Sequence, residues 1–187
     1  MKKNRTKNTI IGLTAICAAI IVIYFAVVNI PKTEEKIVMT DAAKELTQNF
    51  ETNYPSTPRE VVRHYGEISK CFYQEDTTEE QIGKLAKMMW QLFDEELKQN
   101  QTYDDYIAGL RAEILQYRDK GKSISSYGVS SSTDVKYSDN EYGRMATLFL
   151  TFNMRENGRI NRIKEEFILR RDAEGHWKIL GWQLSDG

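Results

Sequence analysis

The sequence has few of the residues that build covalent or metal-bound frameworks, with two cysteines, two histidines and three prolines among 187 residues. Cys17 lies inside a long apolar run and Cys71 in the body of the chain, so the pair cannot form a disulfide framework. No cysteine and histidine cluster has the spacing of a zinc site. The sequence also lacks a phosphate-binding glycine loop, a Gly-x-Ser-x-Gly turn and an acidic calcium loop. We therefore expect neither a metal ion nor a cofactor.

An excess of positive charge is missing as well. Lysine and arginine total 26 and aspartate and glutamate total 27, which gives a formal net charge of −1. Four cations (Lys2, Lys3, Arg5 and Lys7) precede the apolar run, so the remaining chain has 22 cations against 27 carboxylates, a formal charge of −5. Nucleic-acid binding needs a clustered basic face, so we expect no nucleic-acid partner.

The longest hydrophobic run predicts a transmembrane helix. Residues 9–30 contain no charged side chain, and 22 helical residues span about 33 Å, enough to cross the hydrocarbon core of a bilayer. Pro31 follows the run and ends the predicted helix. The basic tail at residues 1–8 places the N-terminus in the cytoplasm, because positive charge is retained on that side. We therefore expect a protein of the cell membrane, with the lipid bilayer as a partner and the rest of the chain outside.

Three other interpretations of this run are less favoured. A cleavable signal peptide has a shorter apolar stretch, followed by a small-x-small cleavage site that the sequence lacks after the run. A lipoprotein needs its modified cysteine at the end of the run, whereas Cys17 lies in the middle. A buried core helix is the third interpretation, but a 22-residue helix that is apolar on all sides and follows a basic N-terminus is rarely one.

The pattern after the run changes from helical to extended. Amphipathic helices are predicted to begin at Thr57, with Pro58 in the first position, at a capping box over residues 77–80, and at Thr102, with Gly121 as a stop. From residue 122 the hydrophobic period is two, which predicts strands. They cover residues 123–137 (with a possible bulge), 146–154, 159–171 and 176–184, with a tight hairpin at Asn157-Gly158.

The predicted fold class is therefore α+β, with three to four helices packed on a curved four-stranded antiparallel meander. The chain divides into a cytoplasmic basic tail (1–8), a transmembrane helix (9–30), a linker with a short helix that starts at Thr40 or Asp41 (31–56), and an extracytoplasmic domain (57–187).

This order of elements resembles the nuclear transport factor two-like cone, a superfamily that includes ketosteroid isomerase and polyketide-cyclase relatives. The resemblance covers residues 57–184 and closes on the strand Gly-His-Trp-Lys-Ile-Leu-Gly-Trp-Gln-Leu at residues 175–184. It implies a pocket between sheet and helices, which some relatives use for catalysis and others only for packing.

A closer likeness is to a family of single-pass membrane proteins of unknown function from Gram-positive bacteria. The matching stretches are Asn-Tyr-Pro-Ser-Thr-Pro-Arg-Glu-Val-Val at 53–62, Ser-Ser-Tyr-Gly-Val-Ser-Ser-Ser-Thr-Asp at 125–134 and Gly-His-Trp-Lys at 175–178. The likeness supports the fold and the anchor and implies no activity.

Glu165 is the main candidate for chemistry. It shares strand parity with Ile163, Phe167 and Leu169, so its carboxyl points toward the predicted core, where desolvation would raise its pKa and suit a general base. The alternative is that Glu165 reaches solvent or pairs with an arginine, as structural carboxylates commonly do. His64 is a candidate partner across the pocket, against the alternative of a hydrogen-bonded histidine at the edge of the core.

Three further side chains have candidate roles. Cys71 is expected to be a buried, inert thiol. Trp177 and Trp182 have opposite parity on the last strand, so one should line the interior while the other, on the opposite face, is a candidate for protein contact.

Two functions follow from these features. The first is a membrane-anchored extracytoplasmic binding or assembly module without enzymatic activity, either a homodimer or part of a membrane complex; type IV secretion scaffold proteins share this plan. The alternative is a small-molecule isomerase, dehydratase or cyclase with Glu165 as the general base.

Overall fold

The computed structural model describes residues 39–185, so the predicted basic tail and transmembrane helix at residues 1–30 lie outside the described residues. Within residues 39–185 no helix is both long enough and apolar enough to span a bilayer.

The described chain has helices first and strands second, as the change of period predicts. The helices are α1 (Asp41–Glu45), α2 (Pro58–Phe72), α3 (Glu79–Leu92), α4 (Glu95–Lys98) and α5 (Tyr103–Asp119). The strands are β1 (Lys122–Val129), β2 (Lys136–Asn140), β3 (Gly143–Glu156), β4 (Arg159–Arg171) and β5 (Trp177–Leu184). All strand pairs are antiparallel, which confirms the α+β class.

Threonine caps fix where the helices begin. Thr40, Thr57 and Thr102 each accept a backbone N–H bond from the first turn of their helix, as predicted. The predicted capping box at residues 77–80 is wrong by one position, because Thr78 and Gln81 form it. The Thr77 hydroxyl instead donates a hydrogen bond of 2.7 Å to the carbonyl of Cys71, which ties the end of α2 to the start of α3.

The sheet has five strands rather than the four predicted. The stretch at residues 123–137 forms β1, with the expected bulge near Ser125, then a 3₁₀ turn at Ser132–Asp134 and a separate β2. The Ser131 hydroxyl accepts a hydrogen bond from the Thr133 amide, a local bond that competes with strand pairing and interrupts the strand. The strands β1 and β2 pair with opposite halves of β3, and the rest of the order is β3, β4, β5.

The core lies between the helices and one face of the sheet. Val61 and Ile68 on α2, Leu85 on α3 and Leu148 and Phe167 on β3 and β4 have no exposed surface. The same buried cluster includes Ala42 and Phe50 from the segment before α2.

A bulge in the last strand changes which way its tryptophans point. Leu169 pairs with Ile179, but Ile168 pairs with Gly181, so Leu180 is an extra residue on β5. Because one extra residue reverses side-chain parity, Trp182 lies opposite the buried Phe167, on the same face as Trp177. The prediction that the two tryptophans face opposite sides is therefore wrong.

Candidate functional site

A cavity of about 320 Å³ lies between the helices and the inner face of the sheet. Half of its sixteen lining side chains are aromatic: Tyr65, Phe72, Tyr73, Phe93, Tyr106, Tyr117, Phe152 and Trp182. The others are Ser69, Met89, Leu110, Glu113, Ile124, Met154, Ile163 and Glu165. A concave pocket lined mostly by aromatic and aliphatic side chains, with a few polar groups among them, is the usual form of a small-molecule site.

Glu165 reaches this cavity from β4. Its predicted orientation is confirmed, since it lines the same space as Ile163 and precedes the buried Phe167 on the same face. Its Oε2 atom is buried and has no hydrogen-bond partner among the described residues. Burial alone raises the pKa of the Glu165 carboxyl from 4.5 to about 7, because desolvation penalises the charged form.

A second carboxyl, Glu113 on α5, belongs to the same lining. Its Oε1 accepts a hydrogen bond of 2.9 Å from the hydroxyl of Tyr73, whose ring stacks on Tyr117 with centroids 4.5 Å apart. Glu113 is exposed, whereas Glu165 is partly buried. Glu113 therefore lies at the open side of the cavity.

The tyrosine hydroxyls in the lining stay protonated. Burial raises the pKa of Tyr65, and the nearby Glu165 raises it further. Burial also raises the pKa of Tyr73, Tyr106 and Tyr117. These four side chains therefore supply aromatic faces and neutral hydroxyls.

Trp182 completes the aromatic wall from β5. Its ring lies 5.3 Å from Tyr65, 5.9 Å from Phe93 and 5.8 Å from Phe167, measured between centroids. Trp182 is still 39% exposed, whereas Trp177 is 6% exposed and packs into the core. Trp182 is thus the one of the two that is accessible to a ligand or a partner.

The structure does not bring His64 and Glu165 together. His64 is buried, its Nδ1 is bonded to Glu45 on α1, and its Nε2 lies 2.9 Å from Nη2 of Arg63. It is absent from the cavity lining, so the proposed pair across the pocket is wrong. The alternative of a hydrogen-bonded histidine of the core is confirmed.

The last residue singled out in the sequence, Cys71, belongs to the hydrophobic core. Cys71 is fully buried, and burial raises the pKa of its thiol to about 12, as expected for an inert cysteine. Among residues 39–185 no group of three or more His, Cys, Asp or Glu side chains could hold a metal ion.

Sequence reasoning missed Glu113 and the role of the tyrosines. Glu113 lies three residues after Leu110 and four before Tyr117 on α5, so it interrupts an apolar stripe as Glu165 does on its strand. The tyrosines lie on the apolar stripes of the predicted helices. The sequence pattern therefore does not distinguish them from ordinary core residues.

Comparison with known proteins identifies the family. Residues 1–182 match the family described as Domain of unknown function (DUF6715). The chain belongs to this family. The DUF6715 match confirms the likeness to a family of unknown function, and the membrane anchor stays a prediction. No curated protein matches the sequence.

One solved structure similar to this DUF6715 chain is CagV, a VirB8 homologue of the T4SS from Helicobacter pylori strain 26695. The TM-score is 0.41 at 12% identity, over 68% of this chain and 98% of that chain. The family description names no activity.

Proposed function

We propose that this protein is a membrane-anchored, non-enzymatic binding module that takes up a small molecule in the cavity between its helices and its sheet. The observation that carries the proposal is the cavity of about 320 Å³, in which a buried carboxyl oxygen of Glu165 has no hydrogen-bond partner within residues 39–185. Buried polar atoms are nearly always hydrogen-bonded, so an unpartnered one that lines a cavity is explained if a ligand supplies the missing bond.

The outer domain is proposed to be a cone of the nuclear transport factor two-like kind. Helices α2, α3 and α5 each contribute to one wall of the cavity and β1, β3, β4 and β5 to the other. The bulges in β1 and β5 bend the strands on which this layout depends.

The anchor is proposed to be residues 9–30, with the basic tail in the cytoplasm and the domain outside. The supports are the length and charge pattern of the run, and a family match that begins at residue 1 and so includes it. In the native host the full chain should sediment with membranes, and protease added to whole cells should digest the domain. A mature protein that starts after Ile30 and is free in the medium would contradict the anchor.

Assembly is the second part of the proposed role. Strand β5 is an edge strand of the sheet. Trp182 and Leu184 on this strand are 39% and 74% exposed. Contact through this strand would join two copies of the chain or a membrane-complex partner.

The binding role is tested with the purified full-length chain in a non-ionic detergent. A panel of small cationic, neutral and anionic compounds is titrated while the intrinsic tryptophan fluorescence and the melting temperature are followed. At least one compound should bind saturably, and Ser69→Leu should weaken that binding at least tenfold, because Ser69 is the smallest side chain of the lining. The matched control Ser138→Leu, at an exposed position on β2, should leave it unchanged.

Absence of saturable binding across the panel would contradict the binding role. Binding that survives in Ser69→Leu would place the ligand outside the cavity and would contradict it equally.

The enzyme alternative rests on the same carboxyl. A pKa raised to about 7 suits a general base near neutral pH. If Glu165 is a base, bound compounds should be chemically changed on incubation with the wild-type chain but not with Glu165→Gln, which mass spectrometry detects. Recovery of every bound compound unchanged would favour the binding module.

A further inference from the structure

The ionisable side chains of the cavity are of one sign. Glu165 and Glu113 line it, and none of the sixteen lining residues is a lysine, arginine or histidine. Within this lining an anionic ligand would meet two carboxyls and no cationic side chain. An uncharged apolar ligand would leave Oε2 of Glu165 unpartnered, which is costly in a buried site.

The rest of the lining is suited to positive charge. Aromatic rings attract a cation to their faces, tryptophan most strongly, and the attraction grows when water is excluded. Trp182 and Tyr65 form one wall of such rings, with centroids 5.3 Å apart, and Tyr73 and Tyr117 form another. The protein already uses this interaction nearby, because Nζ of Lys122 lies 5.9 Å from the centroid of Tyr117 while paired with Glu156.

We infer that the cavity binds an organic cation, an amine or quaternary ammonium compound, whose positive group lies among the aromatic rings and pairs with the carboxylate of Glu165. This inference rests on the proposed function, since it names the ligand class of the same cavity. Glu113 at the open side adds attraction at the entrance.

The pairing makes affinity depend on pH. The other titratable groups that line the cavity are Tyr65 on α2, Tyr73 just after it, and Tyr106, Glu113 and Tyr117 on α5. The tyrosines have pKa values raised by burial and stay neutral below pH 9. A cation binds the ionised form of Glu165, which is about a tenth of the molecules at pH 6 and about nine tenths at pH 8 for a pKa of about 7. Affinity should therefore rise about tenfold from pH 6 to pH 8.

The test compares choline with 3,3-dimethylbutan-1-ol, a compound of the same shape in which carbon replaces the charged nitrogen. Tetramethylammonium and benzyltrimethylammonium complete the set, and binding to the full-length chain in a non-ionic detergent is measured by calorimetry at pH 6 and pH 8. At least one of the three cations should bind saturably, and choline should bind at least tenfold more tightly than its uncharged isostere at pH 8.

Two variants locate the effect. Glu165→Gln should weaken cation binding at least tenfold and remove its pH dependence, while the affinity for the isostere stays the same. Glu166→Gln carries the same change one residue along, on the outer face of β4, and should bind cations as the wild type does.

Each outcome separates the inference from the proposed function. Equal affinity for choline and its isostere would overturn the inference that the ligand is a cation and would leave the binding role intact. Tighter binding of neutral compounds, if Ser69→Leu abolishes it, would have the same consequence. If no compound of any charge binds in the cavity, both are overturned. Cation binding that is unchanged in Glu165→Gln overturns the role of that carboxylate.

Discussion

Replacing Glu165 with glutamine is expected to stabilise the folded chain by about 2 kcal/mol at pH 8 and to leave its stability at pH 4 almost unchanged. A rise of the Glu165 pKa from 4.5 to about 7 corresponds to at most about 3.4 kcal/mol. The side chain is partly exposed, and solvent screening reduces that figure to about 2 kcal/mol.

The sign follows from proton binding. Between pH 4.5 and 7 the folded state binds more protons at Glu165 than the unfolded state does, so the free energy of unfolding falls as the pH rises. The loss is complete above about pH 7.5. Glutamine has no charge to desolvate and avoids the loss.

Denaturant unfolding at pH 4 and pH 8 measures the effect. Glu166→Gln is the matched control on the outer face of β4 and should change the free energy of unfolding by less than about 0.5 kcal/mol at both values. A Glu165→Gln chain that is less stable than the wild type at pH 8 would show that the carboxylate has a native partner, and would contradict the description of the cavity.

Replacing Asp94 with alanine is expected to destabilise the chain by about 3 kcal/mol. The Asp94 side chain is 6% exposed and binds Arg170 on β4 through both oxygens. It also caps α4, because Oδ1 accepts a bond of 2.9 Å from the Glu96 amide. Loss of one member of a buried pair leaves the other charge uncompensated, which costs about 3–5 kcal/mol, and the remaining bond from Arg170 to Glu96 keeps the effect at the lower end.

Thermal and denaturant unfolding of Asp94→Ala check this value. Glu80→Ala, which removes an exposed ion pair with Lys84 within one helix, is the control and should have no measurable effect. Unfolding curves of Asp94→Ala that coincide with the wild type would contradict the role of this pair in holding α4 against the sheet.

Features that depend on residues close together in the chain, such as helix starts and hairpin turns, can be predicted from the sequence. Thr57 with Pro58 begins a helix through bonds within one turn, and Asn157-Gly158 forms its hairpin because both residues adopt positive φ, at 50° and 77°. Glu165 could be assigned to the inner face since strand alternation holds along β4.

Features that depend on distant residues were not predictable in this way. The extra residue at Leu180 leaves no mark in the hydrophobic pattern, yet it turns Trp182 into the cavity. Asp94 and Arg170 are 76 residues apart, and His64 finds Glu45 on a different helix. The cavity draws its lining from all three long helices and four strands, so its aromatic character becomes visible only when the chain is folded.

The measurement that tests the central claim most directly is an NMR titration of the Glu165 carboxyl carbon in the full-length chain, without and with saturating choline. The expected result is a pKa of about 7 in the free protein, which falls when the cation binds and pairs with the carboxylate. A carboxyl that titrates near 4.5 and is unaffected by choline would show that Glu165 is neither desolvated nor at a cation site.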